Sequence, residues 1–269
     1  MTPNPLRLTV RYLAMHSAEP DDNVEQNIAP VDERYEIDPS AAAVVLVDTW
    51  NKHHVHSHMV RTAEIMRERI APMLMAARAA GLPVIYAPSP SVAVRYPQWS
   101  RRFGNRPTPE PPPRGPWPPP ELAARTGPYA RYRRRPGETP AEYDGPEPDW
   151  WRWDAIHESI APETDDHVVA TGQELHELLA ERQIAFLFYA GFATNICVLH
   201  RDYGILAMGA RGYLPILLRD CTTGIETRAT WNDFATTRLA IQDVERRYYS
   251  ADSGDLIAAC RAVQDGNRA

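Results

Sequence analysis

Apolar positions along this chain recur with two different periods. LRLTVRY at 6 to 12 and the later stretch VDERYE alternate apolar and polar residues, which predicts strands in an N-terminal extended lead-in or hairpin. AAAVVLVD at 41 to 48 is instead continuously apolar and valine-rich, the pattern of a strand covered on both faces in a parallel sheet. Between Met59 and Ala80 the spacing becomes helical, through Met59, Ala63, Met66, Ile70, Leu74 and Ala77, and Gly81 supplies a stop. LPVIYAPS then predicts a second buried strand. The rhythm resumes later with HVVAT (167 to 171), a helix near 173 to 183, AFLFYAG (185 to 191) and a helix beginning near Asn195. YLPILLRD (213 to 220) and helices near 230 to 247 and 253 to 264 follow.

Repeated strand-helix-strand units with buried strands imply an α/β fold: a doubly wound, mostly parallel sheet with helices on both faces, Rossmann-like in general plan. In such sheets the ligand crevice lies outside the carboxyl ends of the strands. Asp48, Ser89, Ala170 to Gly172, the turn at 191 to 197 and Asp220 all fall there.

The alternation breaks between Pro107 and Pro148, where 14 prolines are interleaved with arginines. No regular element is expected in that stretch. A single domain spanning 1–269 is therefore predicted, with an N-terminal extension at 1–38 and a Pro/Arg-rich insertion at about 101–150. Trp117, Tyr129, Tyr132, Trp150, Trp151 and Trp153 favour an ordered lid or oligomer arm for the insertion over a solvated loop.

Composition narrows the function. A net charge of -6 gives no positive field for nucleic acid, and no long apolar run or signal-like start is present, so no membrane partner is expected. The predicted location is the cytoplasm, and the predicted partner a small-molecule substrate. Cys197, Cys221 and Cys260 have no paired spacing, which argues against a disulfide framework or a thiolate zinc site. Of 29 basic residues only Lys52 is a lysine, and it follows Asp48 by four positions. A site that needs a compact ammonium with a movable pKa cannot use arginine, so Lys52 is a candidate for such a site. Cys197 sits where a helix starts after a strand and a turn, and there the helix dipole lowers a thiol's pKa and makes it a nucleophile.

Gly191-Phe192-Ala193-Thr194-Asn195-Ile196-Cys197-Val198 resembles the G-x-x-T-x-x-C-V signature of the isochorismatase-like cysteine hydrolases, and VVLVDTW resembles their first strand with its aspartate. The likeness spans about 40 to 90 and 155 to 250. It implies an Asp-Lys-Cys triad that hydrolyses small amides and related C–N bonds, as in nicotinamidases and N-carbamoylsarcosine amidohydrolases. By position Asp48 would be the acid/base and Cys197 the nucleophile. It also implies a cis peptide between Phe192 and Ala193, with the Ala193 and Cys197 amides forming an oxyanion hole. The family's lysine at the end of the strand matching 166 to 171 is missing, and Lys52 is the available replacement. Trp50, His53, His54, Phe192 and Thr194 are further candidates for substrate binding or proton transfer. The histidines at 53, 54, 56 and 58 could suggest a metal, but the D-x-H segment of the nicotinamidase branch is not visible in APSPSVAVRYPQW; no metal and no cofactor are expected. The expectation is a cysteine-dependent amidohydrolase working through a thioacyl-enzyme, and a homo-oligomer. Two alternatives remain: a non-catalytic binding or assembly protein of this fold, or a cysteine enzyme with a non-amidase reaction.

Overall fold

The computed structural model describes residues 4–17, 19–107, 117–133 and 155–268. Its centre is an eight-stranded sheet in the order β2-β1-β8-β7-β6-β3-β4-β5. The strands are β1 (Leu6–Ala14), β2 (Ala29–Ile37), β3 (Ala42–Val47), β4 (Val84–Ala87), β5 (His167–Val168), β6 (Phe186–Phe192), β7 (Leu214–Thr223) and β8 (Tyr249–Ala251). From β8 to β5 every neighbouring pair is parallel, while β1 is antiparallel to both β2 and β8. This is the doubly wound α/β sheet read from the apolar runs.

Strands β3 and β4 are buried at every position, as unbroken apolar sequence requires of strands with helices on both faces. After β3 comes α1 (His56–Ile65), a wider π turn at Met66–Ile70, and α2 (Ala71–Ala79). This one periodic stretch begins three residues before the predicted start. Two short helices, α3 (Pro90–Ala93) and α4 (Pro97–Phe103), lead from β4 toward the insertion. The proline-rich stretch was expected to hold no regular element, yet its described part includes α5 (Pro120–Ala124) and a tight turn at Gly127–Tyr132, both of which start with a proline in their first turn, where the missing N–H costs nothing. Trp117 and Tyr132 are exposed there. Trp150, Trp151 and Trp153 lie outside the described residues.

The remaining helices are α6 (Gly172–Glu181), α7 (Ile205–Ala210), α8 (Ala235–Glu245) and α9 (Ser253–Arg268). Where the chain returns from the insertion it locks onto the loop after β3: Trp50 and Ile156 form a bridge, and His157 donates its backbone N–H to the Thr49 carbonyl at 2.9 Å. That contact fixes the first loop of the crevice. Among the described residues no helix is long and apolar enough to cross a membrane.

Candidate active site

Strand β3 ends at Val47 and the chain turns at once, because Asp48 adopts a left-handed backbone conformation with φ of 45°. Aspartate tolerates that region better than most residues. The turn buries its side chain, leaving Asp48 3% exposed. Beside it, next to the carboxyl end of β6, Gly191 pairs with Val47 and has φ of 118°. A Cβ on Gly191 would lie 2.0 Å from the Val47 carbonyl oxygen, so only glycine lets the two strands close up here. The next peptide, Phe192–Ala193, is cis. A five-residue π turn, Thr194–Val198, then carries Cys197 to the same edge of the sheet as Asp48.

Thr194 was a candidate for contacting substrate, but it does other work. Its hydroxyl is fully buried and lies 2.7 Å from that of Thr222, which in turn donates to the Gly191 carbonyl at 2.7 Å. It holds the turn. Asn195 does the same on the outer side, accepting from the Ile225 amide at 3.0 Å.

The cation at this site comes from Arg201. Its Nε and Nη2 both donate to Asp48 Oδ2, at 3.0 and 2.9 Å. Nη2 also donates to Ser89 Oγ at 2.7 Å, and Ser89 donates onward to Asp48 Oδ1 at 3.3 Å. Lys52 was the expected replacement for the family's lysine; the group seated on the carboxylate is the Arg201 guanidinium, one helical turn beyond Cys197, and Lys52 lies on the loop leading to α1. The signal for Arg201 was present in the sequence. Cys197 and Arg201 are four residues apart, and once a helical segment begins at Thr194 they share a face. Asp202, next to it, accepts from the Gly172 amide at 2.7 Å and ties this turn to the start of α6. The strand end where the family's lysine is missing is occupied differently: Glu174 accepts from the Ala170 amide at 2.6 Å and from Trp99 at 3.1 Å.

The Cys197 thiol is pushed up to about 12, mainly by burial and then by the negative charge of Asp48, with Arg201 pulling the other way. Asp48 and the Ala193 amide are also its hydrogen-bond partners, the first raising and the second lowering the pKa. A thiol lowered by the helix dipole was expected; burial and the adjacent carboxylate raise it instead. The resting sulfur is therefore a protonated thiol beside a carboxylate.

The other wall is aromatic. Trp50 stacks on His53 at 4.8 Å, His53 on His54 at 4.3 Å, and Phe192 stands edge-on to His58 at 6.4 Å. His53 accepts the Val55 amide through Nδ1 at 3.0 Å, which leaves its proton on Nε2 when the ring is neutral. Burial, with His54 adding to it, lowers His53 to about 4. Among the described residues no group of three or more His, Cys, Asp or Glu side chains is placed to hold a metal ion. A cavity of about 10 Å³ lies between Asp48, Trp50, Ser89 and Ile156. A cavity of about 650 Å³ lies elsewhere, at the opposite ends of β4 and β5, lined by Arg78, Arg101, Arg102, His167 and Arg182.

The isochorismatase domain model matches residues 42–245. The chain belongs to the isochorismatase family. Its sheet is similar to that of a cysteine hydrolase from Pseudomonas syringae pv. phaseolicola 1448A, with 16% identity, TM-score 0.54 and coverage of 86% of this chain and 97% of that one. An isochorismatase family protein from Burkholderia thailandensis is 18% identical, with TM-score 0.47 and coverage of 82% and 96%. N-carbamoylsarcosine amidase from Thermoplasma acidophilum is 16% identical, with TM-score 0.42 and coverage of 79% and 96%. No curated protein matches the chain. Membership of the isochorismatase family supports reading the chain as a hydrolase, and the site described above lies within the matched residues.

Proposed function

We propose that the chain is a cysteine-dependent hydrolase of a small-molecule amide or related C–N bond, with Cys197 as nucleophile, Asp48 as acid/base and Arg201 as the fixed cation. The observation that carries this reading is the convergence of a half-buried thiol, a buried carboxylate and a guanidinium at the carboxyl edge of the sheet. Asp48 takes the thiol proton as the sulfur attacks the carbonyl carbon, and the Ala193 and Cys197 amides receive the developing oxyanion. As the C–N bond breaks, Asp48 gives that proton to the leaving amine, which departs and leaves a thioacyl-enzyme. Water then adds to the thioester, passing its proton through Asp48 back to the sulfur. Arg201 stays protonated throughout, so it can hold the Asp48 rotamer and balance its charge but cannot relay a proton.

Ammonia release from a panel of small primary amides and N-carbamoyl compounds tests this, together with intact-mass detection of an acyl adduct. Turnover by the wild type that vanishes in Cys197→Ser and Asp48→Asn is the expected result. Equal turnover in Cys197→Ser would refute the mechanism. The raised thiol pKa favours a second reading, a fold kept for binding or assembly with catalysis lost. Absence of any turnover or adduct across the panel would support it.

A further inference from the structure

Helix α1 carries two N–H groups that the fold buries without satisfying. His58 is 1% exposed, and its Nδ1 lies 3.2 Å from Arg61 Nη2. A guanidinium only donates, so Nδ1 must accept and a neutral His58 must carry its proton on Nε2. Burial, followed by repulsion from His53 and Arg61, lowers His58 to about 3, so the ring stays neutral at physiological pH and the tautomer is fixed. That Nε2–H has no partner among the described residues. The second group is Arg61 Nη1, buried and likewise unpartnered, while Nε donates to Thr223 Oγ1 at 2.9 Å and Nη2 to the Gly224 carbonyl at 2.9 Å. Among the described residues no carboxylate forms an ion pair with Arg61. Glu226, the nearest candidate by charge, is taken up by the amides of Thr236 and Thr237 and by the Thr237 hydroxyl.

Both groups border the nucleophile's turn. His58 packs on Phe192, whose carbonyl joins the peptide to Ala193, and Arg61 is held by Thr223, the partner of Phe192 across β6 and β7. From outside, the Trp231 and Phe234 rings cover the guanidinium at 5.5 and 5.1 Å. A buried donor without an acceptor and a half-buried cation without a carboxylate are each costly, and a ligand oxyanion lying between them would satisfy both. A neutral imidazole N–H beside a permanent cation suits a carboxylate, which accepts from both at once.

We propose that the substrate of the hydrolase carries a carboxylate at its non-reacting end, and that His58 Nε2–H and Arg61 Nη1 are the donors that position it. This rests on the reading of Cys197 as a nucleophile, so the test separates binding from turnover. The Cys197→Ser variant is titrated calorimetrically with malonamate, succinamate and glutaramate, each against the uncharged diamide of equal length. At least one carboxylate is expected to bind about 10-fold or more tightly than its diamide, the worth of one charge-assisted hydrogen bond. His58→Phe and Arg61→Gln, built on the same background, should erase that ratio, while His58→Gln, which keeps a donor, restores part of it. Comparable affinity for carboxylate and diamide at all three lengths, or no binding of any carboxylate, overturns the inference. Circular dichroism checks that each variant is folded; should His58→Phe fail to fold, Arg61→Gln and Arg61→Lys decide alone. Carboxylate-selective binding with no turnover by the wild-type chain would leave this site standing and remove the hydrolase reading. Turnover with no carboxylate preference would do the reverse.

Discussion

At the scale of single residues, the Asp48, Arg201 and Cys197 cluster makes opposite demands on the thiol, and these can be measured. Asp48 raises the Cys197 pKa through charge and hydrogen bonding, and Arg201 lowers it. Asp48→Asn should therefore speed iodoacetamide labelling of Cys197 at pH 8 although it abolishes turnover, whereas Arg201→Met should slow labelling. Equal labelling of both variants and wild type would show that the three groups are not coupled. Arg201→Met should also destabilise the fold, because it strands a carboxylate that is 3% exposed; about 3 kcal/mol is expected in urea unfolding, the low end for a broken buried pair since a third of the Arg201 side chain meets solvent. Arg201→Lys keeps a donor and should recover most of that stability. Asp48 and Cys197 were legible in the sequence because each stands at a strand end within a recognisable signature. Arg201 does not stand out in a chain this rich in arginine, and only its four-residue spacing from Cys197 marks it.

Among the elements, strands were legible to the extent that they are long and buried on both faces. β3, β4, β6 and β7 announced themselves as apolar runs, since the helices above and below remove any need for polar alternation. β8 has only three residues, too few to carry a pattern, although it is the strand through which the N-terminal hairpin joins the sheet, by the Arg11 and Ser250 register. The hairpin's alternation was visible; its docking depends on that later segment and could not be. The close approach of β3 and β6 is the element-level feature on which the site depends. Gly191→Ala would place a methyl 2.0 Å from a backbone oxygen at a φ of 118°, and neither strand can withdraw without breaking the ladder that aligns Asp48 with the turn carrying Cys197. A loss of more than about 4 kcal/mol in unfolding free energy, or failure to fold, is expected for this change. Gly212→Ala is the control: its φ of 95° is strained too, but nothing lies within 4 Å of the added Cβ. It should cost less, and equal losses in the two variants would mean that the strand contact contributes nothing.

For the molecule as a whole, buried and half-buried histidines at the two ends of the sheet set its response to acid. His53 and His58 flank the end that carries Asp48 and Cys197 and are lowered to about 4 and about 3, while His167, beside the 650 Å³ cavity at the other end, is lowered to about 4 by burial and then by Arg182 and Arg102. All three are neutral in the fold at pH 7 and titrate near 6.5 once unfolded. Below that value the unfolded chain binds protons that the native chain refuses, so stability is complete above about pH 6.5 and falls as the pH drops toward 4. Each histidine contributes up to about 1.4 kcal/mol per pH unit across that window, and the three together about three times as much. Thermal melts in buffers of matched ionic strength should show a midpoint that is level between pH 8 and 7 and declines steeply from pH 6 to 5. The two ends can be separated, because His167→Phe and His58→Phe should each flatten the slope by about one proton's worth, and the double variant by about two. A midpoint that holds constant from pH 7 to 5 in the wild type would mean that these rings take up protons within the native fold, and the fixed Nε2–H tautomer of His58 would then fail with it.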